Sequence, residues 1–290
     1  MEKRAELAEF LRSRRARLRP EDVGLQPFGG DRRRVPGLRR EELAQLAGVS
    51  VDYYVRLEQG RTHNVSEEVL AAVARALRLD DTEHTHLRNL ARPGRDRRRA
   101  VPPPERVRPG LRRLLEMCEG VPAYVSGRRA DVLAWNRMAA AVFTDFGALP
   151  PADRNWARLV FLHEDMQALF PDWTIKGRET VAYLRLQAGT YPDDPGLAAL
   201  VGELSVKSDH FRRWWADHNV KDKRFGRKAI RHPLVGDMEL DYETLQPPGD
   251  PDQMLVTYTA AAGSQSEDAL RLLASWSAGI EDREQGVRRG

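Results

Sequence analysis

LRREELAQLAGVSVDYYVRLEQG, residues 38–60, holds two short runs of helical periodicity joined at a Gly-Val-Ser corner. Gly48 sits where a left-handed residue closes a helix. Val49 is the apolar plug of the corner, and Ser50 is placed to cap the next helix. Leu43, Leu46, Tyr54 and Leu57 recur at helical spacing and form the inward side. Ala44 and Ala47 are small enough to let two helices cross closely. Outward on the second helix remain Val51, Asp52, Tyr53, Val55 and Arg56. The spacing predicts helices over about 39–47 and 51–59. The first turns of such a second helix are the part that enters a DNA major groove. Ser50, Asp52, Tyr53 and Arg56 are therefore candidates for base edges or flanking phosphates. Glu58 is expected to be structural, paired with an arginine of the N-terminal helix at residues 5–18.

Working outward, residues 5–18 place Leu7, Phe10, Leu11 and Leu18 at helical spacing. A Pro/Gly-rich loop with Arg32, Arg33 and Arg34 follows. Ser66, with Glu67 and Glu68 in the first turn, opens a helix at about 66–78. Asp80 with Glu83 opens another at 81–91. The arginine loop is expected to cross a phosphate backbone or enter a minor groove. Arg39, Arg40 and Arg61 are further backbone candidates.

The stretch ARPGRDRRRAVPPPERVRPG is rich in Pro and Arg and reads as a linker. Beyond it come a helix, two short strand candidates (PAYVS and DVLAWN), a helical middle from about 136 to 219, and three strand candidates: GRKAIRHP, GDMELDYETL and QMLVTYTA. A last helix, SEDALRLLASW, precedes a polar tail. Strand–strand, helices, then three strands is a PAS-like order, an antiparallel sheet with helices that can enclose a small-molecule cavity. The expected organisation is an all-α five-helix helix-turn-helix domain over 1–92, a linker over 93–108, an α+β PAS-like domain over 109–277, and a tail over 278–290.

Composition agrees with that division. The first 110 residues hold 24 Lys+Arg against 17 Asp+Glu, a net +7, and the remaining 180 hold 23 against 26, a net −3. A basic N-terminal part on a near-neutral remainder fits a nucleic-acid-binding end and a second end with another task. Lysines number six against 41 arginines, so part of the basic excess is codon bias of a high-GC genome. The single cysteine, Cys118, builds neither a disulfide framework nor a cysteine zinc site. The N-terminus has no signal-peptide h-region, and no apolar run approaches the length of a membrane span. A cytoplasmic bacterial protein, nucleoid-associated when bound to DNA, is expected.

The segment EELAQLAGVSVDYYVRLEQG, followed by a loop and a helix ending ARALRL, resembles the lambda-repressor-like (XRE-type) helix-turn-helix family over about residues 5–90. FLRSRRARL and RRRVPGLRREELAQLAGVSVDYYVRLEQGR narrow the resemblance to its MmyB-like subgroup, which departs from the general family by the long arginine loop. VPAYV, DVLAWNRMA, FPDW, ELSVKSDHFRRWWADH, IRHPLVGDMELDYETL and DPDQMLVTYTA look like the MmyB-like C-terminal domain over most of 109–275. That resemblance implies a PAS-like ligand-binding module, with a fatty-acid-like or other small molecule as ligand.

Candidate pocket residues are aromatics near polar groups. Tyr124 lies on the first strand, and Trp135 and Asn136 end the second. Phe143 and Phe161 lie on the helices after them, and Trp173 follows Pro-Asp. Trp214 and Trp215 are adjacent, so they point to different sides of a helix. Arg231 and His232 are placed to receive a carboxylate or phosphate, and Tyr242 sits on the next strand. Five of the six tryptophans fall between 135 and 215.

Catalysis is not expected. His163-Glu164-Asp165-Met166 lacks the second histidine of a metalloprotease helix, and no phosphate loop, nucleophile elbow or dinucleotide fingerprint occurs. No cofactor or metal is required by this reading. The expected partners are double-stranded DNA, in inverted half-sites read by a homodimer, and a small-molecule effector. The alternatives are a C-terminal dimerisation or partner-protein module without ligand and, more weakly, a bifunctional regulator-enzyme. No membrane is expected.

Overall fold

The structure is a computed structural model that describes residues 2–25, 37–62, 65–91, 105–222, 225–248 and 252–289, with side chains described from 4 to 277. Its contacts form two compact units: Met1–Val101 with Arg185–Ala198 and Arg213–Asp222, and Pro102–Leu184 with Ala199–Arg212 and Lys223–Gly290.

The first unit contains the five expected helices. They are α1 (Glu2–Arg17), α2 (Arg40–Ala47), α3 (Val51–Glu58), α4 (Glu67–Ala76) and α5 (Asp81–Ala91). Their caps follow the sequence signals. Gly48 has φ of 66° and donates its N–H to the end of α2, and Ser50 Oγ accepts from Tyr53 N. Ser66 Oγ accepts from Val69 N. Asp80 and Glu83 exchange bonds reciprocally, Glu83 N to Asp80 Oδ1 at 2.8 Å and Asp80 N to Glu83 Oε2 at 3.3 Å. Leu7, Phe10, Leu11, Leu43, Tyr54, Leu57 and Leu87 form the core, joined by two residues far along the chain, Leu186 and Val220.

The distant stretches are tied to the first unit by more than apolar contact. Arg14 Nη2 donates to the carbonyl of His218 at 2.5 Å, and Asn89 Nδ2 donates to Thr190 Oγ1 at 3.2 Å. Arg185 Nη1 lies 3.3 Å from Glu6 and 3.0 Å from His218 Nδ1. Gly189 is required here, because a Cβ on it would stand 2.4 Å from the His86 ring. The linear division at residues 92 and 109 thus misses two segments that belong with the N-terminal helices.

The remaining elements, in chain order, are α6 (Pro109–Met117), β1 (Ala123–Ser126), β2 (Val132–Trp135), α7 (Arg137–Val142), α8 (Trp156–Leu162), α9 (Glu164–Leu169), α10 (Trp173–Thr190), α11 (Pro195–Lys207), α12 (Asp209–Ala216), β3 (Phe225–His232), β4 (Gly236–Leu245), β5 (Met254–Thr259) and α13 (Gln265–Arg289). The five strands form one antiparallel sheet in the order β2-β1-β5-β4-β3. Side chains alternate across it. On one face Ala123, Val125 and Leu255 pack with Leu111 and Leu115 of α6. On the other, Tyr124 stands opposite Val256, and Tyr242 opposite Tyr258. The polar tail expected over 278–290 continues α13 as far as Arg289. Its sequence is rich in Glu, Arg and Gln, which are good helix formers, and has no proline. No helix among the described residues is long and apolar enough to cross a membrane.

Candidate functional site

The first candidate surface is the outer face of α3. Tyr54 and Leu57 are fully buried, so the helix has only one way to face. Val51, Asp52 and Arg56 are exposed, Tyr53 and Val55 are half-buried, and Ser50 leads in as the N-cap. Arg61 is exposed just beyond the helix, and its N–H closes on the Arg56 carbonyl at 2.8 Å. Among the described residues Asp52, Arg56 and Arg61 make no ion pair. Ser50, Asp52, Tyr53 and Arg56 thus share one solvent-facing edge.

What holds that edge is Glu58, only 1% exposed. It accepts from Arg15 Nε at 2.9 Å and Nη2 at 3.2 Å, and from Arg40 Nε at 2.9 Å. Burial pushes its carboxyl up, but the bonds from Arg15 and Arg40 outweigh this and hold it below the usual carboxylate range. The expected pairing with an arginine of the first helix is present in Arg15. Arg40, read from sequence as a phosphate contact, is instead engaged with Glu58, because the first residue of α2 lies within hydrogen-bond reach of the last residue of α3. Arg39 is half-buried at the start of α2, where its N–H donates to Glu42 Oε2 at 2.6 Å. Arg32, Arg33 and Arg34 lie outside the described residues. At the far end of α3, Gly60 has φ of 65°, and a Cβ there would stand 2.7 Å from the Arg4 carbonyl. Glycine therefore lets the start of α1 close against the end of α3.

The second candidate site is a small cavity of about 30 Å³ in the second unit. Its walls come from the sheet face carrying Tyr124, Tyr242 and Tyr258, from Trp156 at the start of α8, and from Lys176, Glu179 and Tyr183 on α10. Lys228 on β3 completes it. The aromatic wall is continuous: Tyr124 lies 5.1 Å from Trp156 and 6.3 Å from Tyr258, and Tyr242 lies 6.0 Å from Tyr258, centroid to centroid. Lys176 is 5% exposed, with Nζ 5.0 Å over the Trp156 ring and 4.8 Å over Phe170. Lys228 pairs with Glu179 and lies 5.4 Å over Tyr242. Tyr183 donates its hydroxyl to the Arg128 carbonyl at 3.3 Å. Burial pushes the hydroxyls of Tyr124 and Tyr258 up, so both stay protonated donors.

Of the pocket residues read from sequence, Tyr124 and Tyr242 line this cavity. The others do different work. Asn136 caps α7 and ties down the strand ends: Oδ1 accepts from Ala139 N and Ala123 N, and Nδ2 donates to the carbonyls of Cys118 and Val121. Phe143 backs the wall, 5.1 Å from Trp156 and 5.0 Å from Tyr258. Trp135 packs on Phe146 under Arg154. Phe161 sits between Trp173 and Phe211, and Trp173 donates to the Val160 carbonyl at 2.7 Å. Trp214 and Trp215 belong to the first unit, where Trp215 lies 4.1 Å under Arg185. Arg231 is exposed and paired with Asp237. His232 is turned to the Ala141 carbonyl at 3.0 Å and accepts from Leu234 N. Trp135, Asn136, Phe143, Phe161, Trp173, Trp215, Arg231 and His232 thus each lie against a neighbouring ring, guanidinium, carbonyl, backbone N–H or carboxylate.

Sequence reasoning missed Trp156, Lys176, Glu179, Tyr183, Lys228 and Tyr258. One signal was present for Tyr258: it shares strand parity with Val256, so a correct register places it beside Tyr124 and Tyr242. No comparable signal marks the α10 residues. Among the described residues no group of three or more His, Cys, Asp or Glu is placed to hold a metal ion.

Comparison with known families matches both halves of this geometry. A helix-turn-helix domain model matches residues 6–87. The model of the MmyB-like transcription regulator ligand binding domain matches residues 107–273, more than half of the chain. No curated protein matches the sequence. The chain belongs to the MmyB-like transcription regulators, and combines a helix-turn-helix DNA-binding domain with a ligand-binding domain.

Proposed function

We propose that this MmyB-like regulator reads a specific operator with the outer edge of α3 and that a small apolar or amphipathic molecule in the cavity of the second unit changes that binding. The observation that carries the reading is the cavity: a small space lined largely by aromatic rings with a few inward polar groups, set in the domain that matches a ligand-binding family. Ser50, Asp52, Tyr53 and Arg56 supply the base and phosphate contacts, with Arg39 and Arg61 on the backbone. A ligand shifts the DNA equilibrium only by its differential affinity for two states, typically about 1–3 kcal/mol.

We read the active species as a homodimer on inverted half-sites about one helical turn apart. Support comes from α13, where Leu272 is 64% and Trp276 54% exposed, one turn apart on the same side. Catalysis has no part in this reading. The cavity lining includes neither histidine nor cysteine, and Ser126 Oγ is turned to the Gly127 carbonyl at 3.2 Å. No cofactor is needed for it, and the site of action is the cytoplasm.

The test is operator selection with the purified chain, joined to native mass spectrometry and extraction of any retained molecule. Paired inverted sites, a dimer mass and a retained small molecule are expected. A monomer on single sites would overturn the dimer reading. A protein that retains nothing, and whose DNA binding responds to no added compound, would overturn the sensor reading.

A further inference from the structure

We infer that the first turn of α3 reads two neighbouring pyrimidines, Val51 packing on a thymine methyl and Asp52 accepting from a cytosine amino group. The inference rests on the operator reading above and names the base chemistry that this edge selects.

The first ground is an apolar side chain that the fold leaves unused. The core of the first unit takes Val49 before the helix, and Tyr54 and Leu57 within it. Val51 stands between them and is 41% exposed. Helix stability does not account for it, since valine loses side-chain freedom in a helix and a first turn favours proline or acidic residues. A lone exposed valine is ordinary on most surfaces. This one opens the helix whose first turns enter the major groove, where thymine alone presents a methyl group. Val55 follows one turn on, so the two valines form an apolar column along the helix.

The second ground is a carboxylate on a surface that faces phosphates. Asp52 is exposed, and Arg56 follows it one turn on as a charged column beside the apolar one. The bond from Tyr53 N to Ser50 Oγ, at 3.2 Å, fixes the turn that presents both columns. An anion there repels phosphate oxygens and every acceptor on a base edge. What it can take is an amino hydrogen, from cytosine N4 or adenine N6. Adenine sets its N7 acceptor beside that amino group and cytosine does not, so cytosine is the better fit.

The experiment is a binding scan of the full chain on its selected operator, with each thymine replaced in turn by deoxyuridine, which lacks only the methyl. One thymine in each bound site is expected to lose about fourfold in affinity when replaced, the worth of one buried methyl-sized group. Val51→Ser is expected to bind the thymine and deoxyuridine forms equally at that position. Operator selection is then repeated with Asp52→Asn, whose amide suits adenine. The preferred base beside that thymine is expected to change from cytosine to adenine, by at least about fivefold. Should either variant not fold, the natural chain's own operator and its deoxyuridine scan decide.

Absence of a methyl-sensitive thymine, or a sensitivity that Val51→Ser keeps, overturns the valine contact. A natural operator without cytosine beside that thymine, or an Asp52→Asn operator identical to it, overturns the aspartate contact and leaves Asp52 as a charge on the helix dipole. In each of these cases specific binding persists and the operator reading stands. If selection yields no preferred sequence at all, both fall.

Discussion

The two units use charge in different ways. In the first, two buried carboxylates are each closed by a pair of arginines: Glu58 by Arg15 and Arg40, Glu83 by Arg14 and Arg17. The groups it shows to solvent on α3, Asp52 and Arg56, have no ion pair among the described residues. In the second, Lys176, Glu179 and Lys228 turn inward around a cavity. The difference teaches what each unit is built to meet. An outward edge of unpaired polar groups suits a large partner that brings its own charges. An inward set suits a partner small enough to be enclosed.

The strongest way to break this contrast is at Glu58. Glu58→Ala leaves Arg15 buried, its side chain 11% exposed and its charge partner gone, with the Leu38 carbonyl as its remaining acceptor. Breaking a buried pair from one side costs about 3–5 kcal/mol. That loss is expected in chemical unfolding of the first unit. A change below about 1 kcal/mol would show that packing of Tyr54 and Leu57 alone orients α3.

Acid sharpens the contrast, because His86 and His218 of the first unit and Glu105 of the second respond with opposite sign. His86 is buried beside Arg185 and Arg14, and burial is the main cause that lowers it to about 3; His218 is lowered to about 4 for the same reasons. Both bind protons more readily in the unfolded chain, near pH 6.5. The first unit therefore has full stability above that value and loses it as the pH falls towards 4, by up to about 1.4 kcal/mol per pH unit per histidine. Glu105 behaves the other way. Burial raises it to about 7 despite Arg128 nearby, so the folded chain holds the proton there and this group adds stability around β1 and β2 as the pH falls from 7 towards 4.5, against the opposite contribution of His232 on β3, which burial lowers. Hydrogen exchange at pH 7.5 and pH 5.5, corrected for intrinsic rates, should show α1 and α5 loosening while β1 and β2 tighten. Parallel changes in both units would refute the assignment.

A smaller effect is expected at the reading edge. Arg56→Ala should cost about 1–3 kcal/mol of operator affinity with the melting temperature unchanged. Equal losses on specific and non-specific DNA would move Arg56 from base to phosphate.

Gly226 tests the other side of the contrast. Its φ is 155°, and a Cβ there would stand 3.1 Å from the Tyr242 ring. Gly226→Ala is expected to cost about 1 kcal/mol of stability and to weaken ligand binding by displacing Tyr242. The smallest effect belongs to Trp135→Phe, which should change ligand affinity by less than about 0.5 kcal/mol, since Trp135 stands off the cavity. A larger change, read in titrations of the retained ligand, would extend the site to β2.

The α2–α3 pair was legible because its determinants are local. Gly48, Ser50, Tyr54 and Leu57 act within a dozen residues, so periodicity and cap chemistry place the outer edge with no tertiary knowledge. The strands were legible for the same reason, and their order implied the sheet. The cavity was legible only where strand position sufficed, at Tyr124 and Tyr242. Tyr258 needed the register of β5 against β4. Lys176, Glu179 and Tyr183 needed the rotation of α10, which a helix with apolar residues on several sides does not reveal. Trp214 and Trp215 looked like pocket aromatics because nothing local shows that 213–222 joins the N-terminal helices.

That joining has a consequence for how the molecule is made. The ribosome releases the α1–α5 region first, yet Leu186 and Val220 complete its core, and the Arg14–His218 bond spans 204 positions of sequence. At about 5–20 residues per second, about 130 residues separate the end of α5 from the last of these contacts, a wait of roughly 6–26 s. During that interval the DNA-reading helices exist without their last supports, and chaperone recognition or early proteolysis has its opening there. Full burial of His86, and with it the finished reading unit, is reached only after most of the ligand-binding sequence has been synthesised.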